Sequence, residues 1–352
     1  MQPQELIDSF RKKVSPKSKS AIPDRFLELL SQALVQNQVP AKPLFGGSWA
    51  KGTYLQGDHD IDVFVRFDMS VADDRFADIL ARALVDFSGV RRIHGSRDYF
   101  QLEWEGFSFE LVPVAAIVDP ADASNTTDVS PLHVQYVRSF IEKDPVLADD
   151  IRLAKLFCKS AKVYGAESYV NGFSGHVLDL LIIRYGSFLD LLKAAQKWSG
   201  KVFIDPLGEH DDPSFLPADK RASPLVVLDP IQPSRNAAAA LGKEAFDTFK
   251  DRAAAFLLSP DESFFVFTAL TKERVVAKHP DKLLLCYEFL ALDEASKDVA
   301  GTKLYKCHEH FLKQASRAGF SIVDEGFEFD GCKALCFVVV EQEPLPDMFE
   351  RQ

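Results

Sequence analysis

The fold is decided by the stretch Phe45-Gly46-Gly47-Ser48-Trp49-Ala50-Lys51-Gly52-Thr53 and by the segment Asp58-His59-Asp60-Ile61-Asp62-Val63-Phe64-Val65-Arg66-Phe67 that follows it. Two adjacent glycines and a serine allow a tight turn whose backbone N–H groups point toward an anion such as a triphosphate. In the second segment every second residue from Ile61 is apolar, which is the period of a β-strand. Asp60 and Asp62 are therefore predicted to lie on the same face of one strand.

A third acidic residue completes this pattern. Residues 107–114 read as another strand, and Glu110 is the only acid within it. Carboxylates on one strand face repel each other unless a cation lies between them, and hard oxygen ligands suit Mg²⁺. We predict two Mg²⁺ ions, both bound by Asp60 and Asp62, with Glu110 binding the ion that activates an attacking hydroxyl. The alternative for the Asp-x-Asp pair alone is a solvent-exposed strand face.

Length and composition set wide bounds on the class of protein. The chain has 352 residues, 47% of them hydrophobic, which is enough for two or three domains with proper cores. It has no apolar run of membrane-spanning length, and its first residues do not resemble a signal peptide, so we expect a soluble, cytoplasmic protein without a membrane partner. The five cysteines lack CxxC spacing, which predicts reduced thiols rather than structural zinc.

The formal net charge of −11 by itself argues against a nucleic-acid partner. Basic residues are nevertheless sorted onto three predicted helix faces, at steps of three and four residues. The faces are formed by Arg152, Lys155, Lys159 and Lys162; by Lys193, Lys197 and Lys201; and by Lys303, Lys306, His310, Lys313 and Arg317. Any one of them is compatible with an ordinary solvated face, but three in an acidic protein favour binding of a polyanion.

The pattern along the chain predicts an α+β multidomain fold in three parts. Residues 1–145 form a compact unit of helices and a mixed sheet, residues 146–262 a mostly helical unit, and residues 263–352 a small α+β unit for docking. Helices are predicted at 4–14, from Pro23, at 71–87 and at 303–318, and another begins with Ser130 as N-cap and Pro131 in first position. Two long helices within 149–198 are divided at 164–175, and an alanine-rich helix runs from Ser234 or Arg235 to about Leu258. An exposed loop is predicted at 200–224, a strand at 225–228, and hairpins turned at Glu105-Gly106 and Asp330-Gly331.

The motifs Gly47-Ser48, Asp60-Ile61-Asp62 and Glu110 together resemble the nucleotidyltransferase superfamily, which has a polymerase β-like catalytic domain. Its members transfer a nucleotide from an NTP to a hydroxyl. The second part of the chain narrows the resemblance through further blocks. They are Val163-Tyr164-Gly165-Ala166-Glu167, Gly172-Phe173-Ser174-Gly175, Tyr185-Gly186-Ser187-Phe188, and Leu228-Asp229-Pro230 with Arg235-Asn236-Ala237-Ala238-Ala239. In this order they are similar to the archaeal-type (class I) CCA-adding enzymes, the tRNA nucleotidyltransferases, from about residue 20 to 341.

The resemblance implies template-independent addition of CCA to tRNA from CTP and ATP, with two Mg²⁺ ions. It also implies roles for single residues. The triphosphate would be held by Gly47, Ser48, Lys51, His133, Lys155 and Tyr164, and the incoming base would be read by Arg235. Lysine suits phosphate, and a guanidinium offers paired donors to a base edge. The alternatives are a surface salt bridge for Arg235, a helix-cap neighbourhood for His133 and a core hydroxyl for Tyr164.

RNA contacts are predicted at Arg97, in the loop 94–99, and at Lys193, Lys197, Lys306, His310 and Lys313. Two positions depart from the family pattern, because Glu110 stands where aspartate is commoner and Arg97 where a histidine is expected. The family also leads us to expect a further segment after the last strand, so the tail unit is predicted to be reduced. A homodimer and partial rather than complete CCA addition stay open.

Two other functions stay open alongside CCA addition. One is a different nucleotidyltransferase, such as an oligoadenylate or cyclic-dinucleotide synthetase, which would share the catalytic face. The other is a non-catalytic RNA-binding protein.

Overall fold

The computed structural model describes residues 2–16, 20–291 and 296–341. The chain divides into two compact units. The larger unit comprises the chain up to Ala166 together with Val170–Phe267, and the smaller unit combines Glu167–Tyr169 with the chain from Thr268. The finer boundaries after residues 145 and 262 stay a prediction, and the predicted tail beyond residue 341 lies outside the described residues.

The larger unit alternates helices and strands in its first half and is mostly helical in its second. Its elements are α1 (Pro3–Val14), α2 (Ile22–Gln36), β1 (Ala41–Phe45), α3 (Gly47–Lys51), β2 (Asp60–Phe67), α4 (Phe76–Ala83), β3 (Arg91–Ile93), β4 (Tyr99–Trp104), β5 (Phe107–Ala115), α5 (Ser130–Ile141), α6 (Val146–Ser160), α7 (Gly175–Tyr185), α8 (Phe188–Ala195), β6 (Val202–Ile204), β7 (Leu225–Val227) and α9 (Lys243–Leu258).

A five-stranded mixed sheet organises the first half, in the order β1-β2-β5-β4-β3. Strands β2 and β5 run parallel, whereas the other neighbouring pairs are antiparallel. The predicted alternation in β2 is confirmed, because Ile61, Val63, Val65 and Phe67 are buried against α2 and α4. The predicted hairpin of β4 and β5 is also present, and its turn residues Glu105 and Gly106 both have positive φ.

A second hydrophobic core lies among α6, α7, α8 and α9. Helix α1 belongs to this core and not to the sheet, since Phe10 packs against Phe265 with ring centroids 4.6 Å apart. Arg11 of α1 also binds the buried carboxylate of Asp150 in α6, with nitrogen to oxygen distances of 2.7 and 2.8 Å. The first helix of the chain therefore stabilises its helical half.

The predicted alanine-rich helix begins later than expected, at Lys243 rather than at residue 234 or 235. The intervening residues are held by β7, because the side chain of Asn236 accepts the backbone N–H groups of Val227 and Ala238. Ala237 in turn donates its N–H to the carbonyl of Val227. Hydrogen bonds to a neighbouring strand thus override the high helix propensity of alanine.

Several other element predictions need correction. The second long helix is two helices, since Gly186 ends α7 with a φ of 82° and Ser187 caps α8. Helix α5 has Val129 rather than Ser130 at its N-cap, and α4 is shorter than the predicted 71–87. The predicted exposed loop after residue 200 contains β6, which pairs parallel with β7, and a buried Asp205.

The smaller unit has the predicted α+β composition. Its elements are α10 (Lys272–Lys278), β8 (Leu283–Leu290), α11 (Lys297–Arg317), β9 (Ile322–Phe329) and β10 (Lys333–Val340). The three strands form an antiparallel sheet in the order β8-β10-β9. Helix α11 begins six residues before the predicted start at 303, where Ser296 caps it by accepting the N–H of Val299.

Two predictions made from composition can be compared with the structure. The five cysteines are free thiols, two of which, Cys158 and Cys336, are buried. Within the described ranges, every helix is too short or too polar to cross a membrane.

Candidate active site

A cleft of about 360 Å³ opens in the larger unit. Six of the predicted site residues line it, and they come from α3, β2, β5, α5 and the segment between β7 and α9. They are Gly47, Lys51, Asp62, Glu110, His133 and Arg235. The structure therefore brings together side chains that are as much as 188 positions apart in the sequence, from Gly47 to Arg235.

The acidic side of the cleft is built by the parallel pairing of β2 with β5. In the register of this pair Asp62 lies directly beside Glu110, and Asp60 beside Ser108. Asp60 and Asp62 share a strand face because they are two residues apart. Glu110 also accepts a hydrogen bond of 3.1 Å from Gln101 on β4. The three carboxylates thus line neighbouring positions on one face of the sheet.

The electrostatics of Asp62 fit a site for a cation. Burial raises the pKa of its carboxyl above the ordinary value, and the negative charge of Asp60 raises it further. The ammonium of Lys51 acts in the opposite direction. A set of carboxylate oxygens under mutual repulsion is the donor set that a hard divalent cation such as Mg²⁺ prefers.

The glycine pair packs directly against Asp62. Gly46 donates its N–H to the carbonyl of Asp62 at 2.7 Å. Gly47 has a φ of +50°, and a Cβ at this position would lie 1.6 Å from Oδ2 of Asp62. Only glycine therefore fits between the start of α3 and the acidic face.

Lys51, at the end of α3, reaches a carboxylate that the sequence analysis missed. Its Nζ lies 2.5 Å from Oδ2 of Asp179 on α7, and the Asp179 side chain is fully buried. The other oxygen of Asp179 has no hydrogen-bond partner within the described ranges. Asp179 is the only charged residue of the apolar run 177–183, and this isolation is the signal that could have identified it.

The predicted basic face of Arg152, Lys155, Lys159 and Lys162 is buried at its first two positions, which disfavours it as a surface for a polyanion. Arg152 donates to the carbonyls of Tyr54 and Gly52, and Lys155 donates to the carbonyl of Thr53 at 2.9 Å. These cations hold the segment that follows α3. Burial lowers the pKa of Lys155 to about 8.

Tyr164 lies close to Lys155, as predicted for two residues that share a ligand. A Cβ placed on Gly175 would be 3.1 Å from the Tyr164 hydroxyl and 3.8 Å from Cε of Lys155. Both side chains therefore approach the start of α7. Neither of them lines the cleft itself.

Asp229 connects the two remaining predicted ligands and was not itself predicted as a site residue. Its Oδ1 lies 2.8 Å from Nε2 of His133, and its Oδ2 accepts from Arg235 at 3.1 Å. Burial favours a higher pKa for Asp229, but the hydrogen bond and charge of His133 outweigh it and lower the pKa to about 2. Asp229 is therefore a buried carboxylate that stays ionised.

His176 on α7 is a further cleft residue that the sequence analysis missed. Its ring centroid lies 4.5 Å from that of His133, and burial, with the charge of His133, lowers its pKa to about 4. The ligating atoms of His133, His176 and Asp229 lie within 4.8 Å of one another, close enough to hold a metal ion. Both oxygens of Asp229 already accept hydrogen bonds from protein donors.

The predicted RNA contacts fall into two groups. The side chain of Arg97 is only 7% exposed, and its guanidinium pairs with the buried carboxylate of Asp128, which also accepts backbone N–H groups of Ala115 and Asn125. This burial disfavours an RNA contact by Arg97. The other predicted contacts are exposed, namely Lys193, Lys197, Lys306, His310 and Lys313, and Lys193 binds Asp190 in its own helix.

Comparison with known proteins shows which family this chain is similar to. The family model described as "tRNA nucleotidyltransferase, second domain" matches residues 149–266. A CCA-adding enzyme of Nanoarchaeum equitans is 32% identical over 303 residues, which is 84% of this chain and 73% of the relative. A CCA-adding enzyme of Methanosarcina mazei is 31% identical, covering 80% of this chain and 61% of the relative.

The fold is shared with a solved structure of Cid1, an RNA terminal uridylyl transferase. The two superpose with a TM-score of 0.61 over 76% of this chain and 99% of Cid1. At 13% sequence identity this similarity concerns the fold alone.

Proposed function

We propose, since this chain belongs to the family of CCA-adding enzymes, that it adds C, C and A in turn to the 3′ end of tRNA, using CTP and ATP and releasing pyrophosphate. The observation that carries the proposal is the single cleft lined by Gly47, Asp62, Glu110, His133 and Arg235. These residues supply what nucleotidyl transfer requires, namely ligands for a metal, for phosphates and for a base.

Asp60, Asp62 and Glu110 would hold two Mg²⁺ ions. Their support is the register of Asp62 with Glu110 and the raised pKa of Asp62, which reflects burial and the repulsion of Asp60. When bound, Mg²⁺ would activate the attacking 3′-hydroxyl and neutralise charge on the departing pyrophosphate.

The triphosphate would lie against the turn at Gly47 and Ser48, with Lys51 and His133, which both line the cleft, as side-chain ligands. Lys155 and Tyr164 would contribute from near Gly175, which both side chains approach. Helix α3 begins at Gly47, so the proposed phosphate-binding turn is also the start of this short helix. Positioning and charge neutralisation would then supply most of the catalysis.

Arg235 would read the incoming base. Its side chain is 46% exposed, and one of its terminal nitrogens is bound to Asp229. Among the described residues no other hydrogen bond of this guanidinium is found, so its remaining donors would pair with the acceptor edge of cytosine or adenine. The tRNA backbone would be contacted by the exposed cations Lys193, Lys197, Lys306, His310 and Lys313.

A homodimer located in the cytoplasm also remains part of the proposal. Sedimentation would test whether the chain dimerises.

The experiment is an incubation of the purified chain with Mg²⁺, CTP, ATP and a tRNA that lacks its terminal CCA. We expect three added nucleotides in the order C, C, A, and only cytidines when ATP is left out. Products formed without tRNA would instead indicate an oligonucleotide or cyclic-dinucleotide synthetase. Unchanged tRNA that is bound tightly would indicate a non-catalytic RNA-binding protein.

The metal ligands are tested by Asp60→Ala and Asp62→Ala. Each is expected to abolish nucleotide addition while tRNA binding stays close to that of the wild type. The matched control is Asp68→Ala, since Asp68 directly follows the same strand but is exposed and accepts the backbone N–H of Ser70. Addition by the Asp62 variant at the rate of the control would refute the metal assignment.

A further inference from the structure

We propose that Asp229 is a positioning residue that couples triphosphate binding by His133 to base recognition by Arg235. The inference rests on the proposed function, because it concerns the same cleft. Asp229 is fully buried, and each of its carboxylate oxygens binds a different predicted ligand of the nucleotide. A single side chain therefore contacts both the residue proposed to bind the triphosphate and the residue proposed to bind the base.

Backbone hydrogen bonds fix the position of the Asp229 carboxylate independently of the side chains of His133 and Arg235. Oδ1 accepts the backbone N–H groups of Ile231 at 2.9 Å and of Gln232 at 3.2 Å. The loop is closed by two further backbone bonds, from Asp229 to the carbonyl of Arg235 and from Arg235 to that of Gln232. Because the loop holds the carboxylate, His133 and Arg235 must adapt to it rather than the reverse.

The contact with His133 determines which nitrogen of the imidazole is left to bind the substrate. Nε2 lies 2.8 Å from Oδ1 of Asp229, so Nδ1 is the nitrogen that remains for a ligand in the cleft. When Nε2 carries a proton for Asp229, Nδ1 can donate to a phosphate oxygen only if the ring is protonated.

The contact with Arg235 restricts a long, half-exposed side chain. Nη1 donates to Oδ2 of Asp229 at 3.1 Å, which leaves the other donors of the planar guanidinium in a defined orientation. Base recognition by paired hydrogen bonds depends on this orientation. A phosphate bound at His133 would therefore change the electrostatic balance at the shared Asp229 carboxylate without moving it, this change would be felt at Arg235, and the reverse holds equally.

The test is a double-mutant cycle on CTP binding. The KM for CTP is measured for His133→Ala, Arg235→Ala and the double variant. If the two residues act through Asp229, the effects of the single substitutions are expected to be non-additive by roughly fivefold or more. In the Asp229→Asn background the same cycle is expected to become additive, and selection of CTP over UTP is expected to fall several-fold.

Asp205→Asn is the matched control. Asp205 is also a buried aspartate of the larger unit that accepts the backbone N–H groups of Leu207, Glu209 and His210 and binds the ring of His210. It does not line the cleft. Its substitution removes a similar network, so it should leave the KM for CTP and the CTP-to-UTP preference unchanged.

The outcomes separate this inference from the proposed function. A wild-type chain that adds no nucleotide to tRNA removes the proposed function. A wild-type chain that adds CCA but shows an additive cycle for His133 and Arg235 removes only the coupling role of Asp229, and this result does not depend on whether Asp229→Asn folds. Equal loss of CTP selectivity in Asp229→Asn and Asp205→Asn would likewise reject it.

Discussion

Gly47 is the residue where the start of α3 meets the acidic face of the sheet. A methyl group there would lie 1.6 Å from Oδ2 of Asp62 and would also be held at a φ of +50°. We expect Gly47→Ala to lower kcat/KM for CTP addition by about 100-fold, because displacements of about 1 Å in an active site have effects of this size. Single-turnover CTP addition measures it.

Gly52 supplies the control for backbone strain, since it ends the same short helix. Its φ is +68°, and a Cβ at this position would meet no atom within 4 Å. Gly52→Ala is therefore expected to cost about 1 kcal/mol of stability and to keep nearly full activity. Similar losses of activity in both variants would mean that left-handed backbone strain, and not contact with Asp62, limits the site.

At the residue scale the sequence predicted the residues that line the cleft better than the buried carboxylates that pair with them. Gly47, Asp62 and Glu110 could be found because strand alternation and turn chemistry are local signals. Asp179 and Asp229 were not assigned roles, although they pair with Lys51 and Arg235. Their partners are distant in the sequence, and only the folded chain reveals which buried carboxylate meets which cation.

Among the elements, periodicity predicted helices more reliably than their limits or their buried faces. The start of α9 was missed because Asn236 and Ala237 bind β7, which no local pattern indicates. The basic face of α6 was predicted to favour a polyanion, but two of its cations face inward. Arg152 and Lys155 pair with the carbonyls of the segment that follows α3, and such carbonyls must be satisfied when buried.

The inward face of α6 has a consequence for the pH dependence of stability. Burial lowers the pKa of Lys155 to about 8, against about 10.4 in an unfolded chain. Between these values the unfolded chain binds more protons, so the contribution of Lys155 to stability is unfavourable at neutral pH and improves as the pH rises. A charged lysine kept in such surroundings is typical of a functional group.

We therefore expect the free energy of unfolding of the wild type to rise by about 2 kcal/mol relative to that of Lys155→Met between pH 7.5 and pH 10. Denaturant unfolding at several pH values measures the difference. Lys159→Met is the control on the same helix, because its side chain is about one third exposed. A difference that stays constant with pH would show that Lys155 is not held at a lowered pKa.

For the molecule as a whole, a net charge of −11 means that long-range electrostatics repel RNA. Attraction must then come from local groups of cations. The smaller unit presents such a group on α11, where Lys303, Lys306, His310, Lys313 and Arg317 are all exposed along one face. We infer that this stripe provides much of the salt-dependent attraction for tRNA.

Reversal of two of these charges tests the inference. We expect Lys306→Glu with Lys313→Glu to weaken tRNA binding and to reduce the slope of log K against log salt concentration by about 2, since each lost phosphate contact removes close to one counterion. The control reverses Lys143 and Lys243, two exposed lysines of the larger unit outside the three basic faces, and so changes the net charge equally. Equal slopes for both double variants would show that net charge, rather than the α11 stripe, governs the interaction with tRNA.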